Sequence, residues 1–318
     1  MFVFNIGSYS LLQIYKHYMT NTIFFISLHL VKDKQEINNT LNDMNLPKIH
    51  SITKKILVAL VGGFLLIFLL FHMTANLFIL RHDDGAWYSA FCHFMGTNWI
   101  VKIAEIGLLG FIALHILLTL WLAFTNRLAR PVRYHQASRS KTHTTSKLMI
   151  WTGILIFVCL FIHFCDFYFV KLGFVKGEYM VKVESIAKSP SAMNDEEVMM
   201  LAYSAVEDNR LSEDGEWIRH LSYDERNLLK EHAPDTDPEP DFYYMTREKF
   251  SHLHIVIGYL FFFFVIFMHL RHAFPSAFQT LGLNNYKYNN IIEWLGKAYT
   301  WVICLGFAVV PILVYLGL

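Results

Sequence analysis

The sequence predicts an all-α integral membrane protein, a bundle of five transmembrane helices, and three observations predict it. Five apolar runs are each long enough to cross a hydrocarbon core about 30 Å thick, which takes roughly 20 residues of helix. Charged residues cluster between those runs instead of recurring along them at surface periodicity. Hydrophobic residues make up 54% of the chain and aromatic residues 16%, with a positive mean hydropathy, an excess over soluble domains that a lipid environment explains. The net charge of +1 leaves no basic footprint for nucleic acid.

Residues 1–50 form an N-terminal extension of uncertain status. Its apolar stretch at 22–31 is too short to span, and Lys32, Asp33 and Lys34 follow at once. That stretch reads as signal-like or interfacial, or as sequence upstream of the true start, for which Met44 is an alternative. From 51 to 318 the chain is organised as the transmembrane domain. The first run covers 56–80, the second 103–124 and the third 148–170. The fourth begins near Leu253, passes four consecutive phenylalanines at 261–264 and ends at Leu270; the fifth covers 298–318, with a kink expected at Pro311. The four cysteines (Cys92, Cys159, Cys165 and Cys304) form no Cys-x-x-Cys pair, so neither disulfides nor thiolate metal sites are expected.

Lysine and arginine set the orientation, because short cytoplasmic loops are enriched in them. Arg127, Arg130, Arg133, Arg139, Lys141 and Lys147 lie between the second and third runs, and Lys54 and Lys55 precede the first. These segments belong inside, as does the fourth loop with Arg271, Lys287 and Lys297, which places the N-terminus in the cytoplasm. The long acidic loop at about 172–250, with Asp195, Glu196, Glu197, Glu213, Asp214 and Glu216, then lies outside. Trp217, Ile218, Leu221, Leu228 and Leu229 give it enough apolar content for one or two short helices, and 233–241 reads as extended linker.

The chemistry is carried by groups that a bilayer should exclude. His72, His115, His163 and His269 lie deep inside four different runs, where an ionisable side chain is costly without a partner. At about 1.5 Å per residue, His72 and His163 fall in the outer half of the membrane. His115 and His269, on helices running the other way, fall in the inner half. Two imidazoles from different helices at one depth are what bis-histidine haem ligation requires, and two depths imply two haems. Any one of these histidines, taken alone, could instead bond a neighbouring hydroxyl or carbonyl.

Around them, His252 and His254 read as interfacial, and His272 as a propionate or solvent contact that could compete with His269 as ligand. Glu105 and Asp166 near the outer helix ends read as hydrated acids, or as proton carriers beside a quinone pocket. His82, Asp83, Asp84, Tyr88 and His93 in the first outer loop are candidates to line such a pocket, against a reading of ordinary loop polarity. Gly62, Gly63, Gly107, Gly110 and Gly153 are read as allowing close helix or haem approach.

The stretches Ser51-Ile-Thr-Lys-Lys55, His72-Met-Thr-Ala-Asn76 and His93-Phe-Met-Gly-Thr-Asn98 resemble the cytochrome b558 subunit of succinate dehydrogenase/fumarate reductase. So do Asn126-Arg-Leu-Ala-Arg-Pro-Val-Arg-Tyr134, Ala137-Ser-Arg139 and the segment from His269-Leu-Arg-His272 to Gln279-Thr-Leu-Gly282. The resemblance is to the single-anchor diheme type of Bacteroidota and Bacillus-like bacteria, and it covers the chain from Ser51 onward except much of the long loop. It implies that His72 and His163 bind the distal haem b and that His115 and His269 bind the proximal one. It also implies partner subunits, a flavoprotein carrying FAD and an iron–sulfur protein, and electron passage to a membrane quinone, menaquinone in the family. This chain would then do no bond chemistry on succinate itself and would reside in the cell inner (cytoplasmic) membrane. Phe267 stands where some fumarate reductases of this type carry a glutamate used for transmembrane proton movement. The alternatives are the cytochrome b subunit of a hydrogenase or formate dehydrogenase, and a haem-free transporter using the histidines as a proton relay.

Overall fold

The computed structural model describes residues 51–128, 144–283 and 285–318. The N-terminal extension, with its apolar stretch and Met44, and the basic loop residues Arg130, Arg133, Arg139 and Lys141 lie outside the described residues. Five helices are long and apolar enough to cross a membrane: Ile52–Leu80, Trp99–Arg127, Leu148–Lys171, Leu253–Thr280 and Asn289–Tyr315. They are called the first to fifth helices below. Their outward faces are apolar: Ile67 is 72% exposed, Ile106 71% and Trp151 68%. Apolar surface on this scale needs a non-aqueous cover, which marks a multi-pass membrane protein.

The last two helices exceed the predicted runs. The fifth begins nine residues before Ala298, because Glu293 and Lys297 interrupt the apolar count without interrupting the helix. The fourth continues past Arg271 and through Pro275, and the fifth through Pro311, so Arg271 and Lys297 lie within helices and not in the loop between them.

Within the bundle the fourth helix packs on the first, third and fifth, and the first also packs on the second and fifth. The fifth helix carries no histidine and acts as a wall. Its Tyr299 hydroxyl donates to the Leu66 carbonyl at 2.6 Å, and Ile303 and Cys304 join Met73, Phe262, Phe263 and Ile266 in one apolar cluster. At the opposite side, Lys54 Nζ lies 4.2 Å from the centre of the Trp121 ring, a cation–π contact between the first and second helices.

The long loop corrects the all-α expectation. It folds as a small mixed domain around an antiparallel sheet of β1 (Tyr179–Lys182), β2 (Trp217–Leu221) and β3 (Glu239–Pro240), in the order β2-β1-β3. Short helices pack on the sheet, and Tyr179, Val181, Val198, Ile218, Leu221 and Leu229 form the core. The apolar content of Trp217, Ile218 and Leu221 suggested a short helix; they lie instead on a bulged strand, in which Tyr179 pairs Leu221 while Val181 pairs Ile218, so β2 carries an extra residue, and His220 takes it up at φ 57. The 233–241 stretch is no linker, since it contains β3 and ends at Asp241, fully buried, which caps the next helix by accepting from Tyr244 N at 3.0 Å.

This domain is tied to the bundle through the segment after the first helix. Residues Ala86–Thr97 form a helix rather than an open loop, and Tyr88, Ile79, Tyr243, Phe250, Val310 and Val314 make a cluster that joins both parts. Arg219 on β2 is 6% exposed; it donates to both Asp241 carboxylate oxygens at 2.7 and 2.8 Å, to the Asp84 carbonyl at 2.7 Å and to Ser89 Oγ at 3.2 Å. A bidentate arginine whose other hydrogen bonds go to Asp84 and Ser89 is a geometry in which a buried ion pair is tolerated.

Gly85 is where this junction is tightest. Its φ is 74, and a Cβ there would overlap the Tyr243 ring. Gly85→Ala is expected to cost about 2–4 kcal/mol, from a left-handed backbone and an overpacked contact. Gly258→Ala meets no atom within 4 Å and is expected to be neutral or slightly stabilising. Arg219→Ala, which strands Asp241 in the interior, is expected to cost about 3–5 kcal/mol. Thermal unfolding in detergent, followed with limited proteolysis of the loop domain, checks all three; equal midpoints for the two glycine variants would show that the junction does not carry stability.

Candidate functional site

The structure sorts the four intramembrane histidines into two pairs. His72 of the first helix and His163 of the third face each other with ring centres 6.0 Å apart and planes at 75°. His269 of the fourth helix has His115 of the second as an electrostatic neighbour, together with His272. The pairs therefore join first to third and second to fourth helix. Neither combination is among the helix pairs packed closely backbone to backbone. Each histidine pair spans an interval that the helices leave between them.

Two glycines fix the depth of the second pair. A Cβ at Gly62 would lie 3.7 Å from His115 Cε1, and one at Gly153 would lie 3.7 Å from His269 Cε1. Gly62 precedes His72 by ten residues on the first helix, and Gly153 precedes His163 by ten on the third. Ten residues of helix rise about 15 Å, so both helices separate the two levels by the same amount. A Cβ at Gly63, Gly107 or Gly110 would meet no atom of the described residues within 4 Å.

Each imidazole has a distinct environment at Nδ1. Thr152 Oγ1 donates to the Met149 carbonyl at 3.0 Å and lies 3.1 Å from His269 Nδ1, so it accepts the ring proton. His163 Nδ1 lies 3.5 Å from the Tyr259 hydroxyl, and His72 Nδ1 lies 3.4 Å from the Asn76 amide, which donates to the His72 carbonyl at 2.7 Å. The His115 Nδ1 is buried with no hydrogen-bond partner among the described residues.

These residues fit a metal-bearing macrocycle better than a naked metal. Among the described residues no three histidine, cysteine or carboxylate side chains converge on one point. A haem brings four nitrogens of its own and asks the protein for two. Two axial imidazoles on one iron stand with ring centres roughly 6 Å apart, from two metal–nitrogen bonds of about 2 Å and about 1 Å from each nitrogen to its ring centre. The His72–His163 spacing matches that requirement, and an orphaned buried nitrogen on His115 is a group in want of a partner.

Of the surrounding candidates, Glu105 and Asp166 are paired, not simply hydrated. Lys171 meets Glu105 at 2.6 Å, and Lys249 meets Asp166 at 2.6 Å. Asp166 sits in a single turn of π-helix, Phe164–Tyr168, that begins directly after His163. His252 and His254 are exposed at the start of the fourth helix, with rings 5.8 Å apart. Phe267 packs against Trp301 with ring centres 4.8 Å apart, an apolar contact between the fourth and fifth helices. Tyr259, Thr152 and Lys249 escaped the sequence reading. The signal for Tyr259 was its hydroxyl in an apolar run, which needs a partner when buried.

Of the first-loop candidates, Asp84, Tyr88 and His93 contact the loop domain, and Asp84 also lines a cavity there with Arg219, His220, Tyr243 and Tyr244. Asp83 pairs with Arg81, the Asp84 carbonyl receives Arg219, Tyr88 is buried, and His82 is exposed. His93 Nδ1 lies 3.0 Å from Glu239 Oε1. Burial, with the Asp237 charge beside it, pushes the Glu239 carboxyl up to about 8, while burial and the Lys182 ammonium hold His93 below its ordinary value. Both shifts favour the uncharged forms of the two groups.

Comparison with family models, with curated proteins and with solved structures returns no match. The reading of the site therefore rests on its own residues.

The Glu239–His93 contact gives a pH dependence with a definite sign. The fold favours the protonated carboxyl over the unfolded chain, where glutamate titrates at 4.5, so the stabilisation is full at low pH and is lost as pH rises through about 8. The thermal midpoint in detergent is expected to fall from about pH 4.5 to about 8 and to level off above that, and Glu239→Gln, which keeps a donor at the same place, is expected to flatten that slope. An unchanged slope in the variant would mean that Glu239 is already ionised.

Proposed function

We propose that this chain is a membrane-anchor diheme cytochrome b subunit of a succinate:quinone oxidoreductase, passing electrons between an iron–sulfur partner and membrane quinone. The observation that carries the reading is the pair of imidazoles 6.0 Å apart between helices that are not packed closely together, repeated by a second pair about 15 Å deeper. In this reading His72 and His163 hold the outer haem b, and His115 and His269 the inner one. Bound haem supplies reversible one-electron chemistry. The chain's residues supply everything else: they fix the ring orientations, exclude water and set the local polarity that tunes potential.

Thr152 orients His269 by accepting its Nδ1 proton, which leaves Nε2 free to bind. Gly62 and Gly153 give His115 and His269 room against neighbouring backbones. Lys54, Lys55, Arg127, Arg271 and Lys297 lie toward one end of the bundle and the acidic loop domain at the other, which supports a cytoplasmic-membrane location with the N-terminus inside. The basic end is then the docking face for the iron–sulfur and flavoprotein (FAD) subunits, and a quinone, menaquinone by the resemblance above, exchanges electrons with the outer level. Those partners are inferred from that resemblance.

The test is a dithionite-reduced minus oxidised spectrum of the chain purified from haem-replete membranes, with a pyridine haemochrome count. About two haems b per chain are expected. His72→Ala or His163→Ala is expected to remove one spectral component, and His115→Ala or His269→Ala the other. A chain that holds no haem under these conditions would leave the histidines as a proton relay and overturn the reading.

A further inference from the structure

One of the four imidazoles is backed by a chain of charged contacts, and the direction of each hydrogen bond in it can be worked out. The Tyr259 hydroxyl lies 2.9 Å from Asp166 Oδ2 and 3.5 Å from His163 Nδ1, and Lys249 Nζ lies 2.6 Å from Asp166 Oδ1. Asp166, as the carboxylate partner of an ammonium, can only accept. The Tyr259 O–H is therefore given to Asp166, and the lone pairs of its oxygen remain for His163. A lone pair accepts from an N–H, so Nδ1 of His163 carries the ring proton and Nε2 keeps its lone pair.

The other histidines lack this arrangement among the described residues. His269 meets the neutral hydroxyl of Thr152, His72 the neutral amide of Asn76, and His115 Nδ1 has no partner. The remaining ring neighbours of His163 besides His72 are Phe164 and Phe167, which offer no acceptor.

We propose that Tyr259 is a positioning residue for the outer redox centre: held by Asp166 and Lys249, it fixes the tautomer of His163 and raises the donor strength of its Nε2. This rests on the haem reading given above. An axial imidazole whose far N–H is held by a negatively polarised acceptor is the more basic ligand, and it favours the oxidised iron. The relay therefore holds the outer centre at a lower potential than the same ligands alone would.

The test is a redox titration of the full-length, haem-loaded chain in detergent, followed at its two spectral components; the outer one is the component lost in His72→Ala. Tyr259→Phe removes only the hydroxyl. The outer midpoint is expected to rise by about 59 mV, the shift that corresponds to a tenfold change in a one-electron equilibrium, with the inner midpoint unmoved and haem content unchanged. Asp166→Asn keeps the tyrosine and removes the charge, and is expected to give a smaller rise at the same component. An unmoved outer midpoint in both variants at full haem content overturns the proposal, and so does an equal shift of both components, which general loosening of the bundle would give. If Tyr259→Phe sheds the outer haem, Asp166→Asn decides: a selective rise supports the relay and no rise overturns it. Absence of haem from the unaltered chain is seen before any variant is made, and it removes the haem reading itself together with this proposal.

Discussion

A hydrocarbon layer offers no hydrogen bonds, so every polar atom carried into it must be answered from within the bundle. That requirement organises most of what is distinctive here. Tyr299 reaches the Leu66 carbonyl, threonines along the helices bond back to their own carbonyls, and the acids near the helix ends are met by lysines. Of the four histidines, His115 keeps a buried ring nitrogen that no described neighbour answers. The four face one another in two pairs, across intervals where the helices do not pack closely.

The loop domain answers a different problem. The bundle's two central helices, the first and fourth, carry partners on several sides, while the second and third sit at its margins. A folded cap that grips the end of the first helix and the ends of the fourth and fifth closes one end of that arrangement. Its grip combines an apolar cluster around Tyr88, Tyr243 and Val314 with the buried Arg219–Asp241 pair. Lys249 extends from the same domain into the helix ends to meet Asp166, so one element of the cap touches the surroundings of an intramembrane histidine.

The five helices were legible because length and apolarity alone determine them, and the depth pairing of the histidines because helical rise converts sequence position into height. The start of the fifth helix was not, since Glu293 and Lys297 mimic a loop in composition while Ile291, Ile292 and Trp294 keep the helix going. The sheet was hidden by the bulge at His220, which replaces the period of two by a spacing that looks helical. Asp166 and Glu105 read as hydrated because their lysines come from 83 and 66 residues away in the chain, and spacing carries no information about such pairs. Tyr259 was lost in a run of aromatics for the same reason: its partners lie on another helix.

The ten-residue step from glycine to histidine, present on the first and third helices alike, has a consequence for symmetry. The first two helices contribute one imidazole to each level, and so do the third and fourth, with Gly62 and His72 standing to one hairpin as Gly153 and His163 stand to the other. The first and third helices are thus matched in the step between the two levels. The match ends after the histidines: Asn76 follows His72 in regular α-helix, whereas Phe167 follows His163 inside the π-helical turn Phe164–Tyr168. The fifth helix and the capping domain have no counterparts in this match. Differences between the two helix pairs therefore lie in the backbone of that turn as well as in side chains such as these.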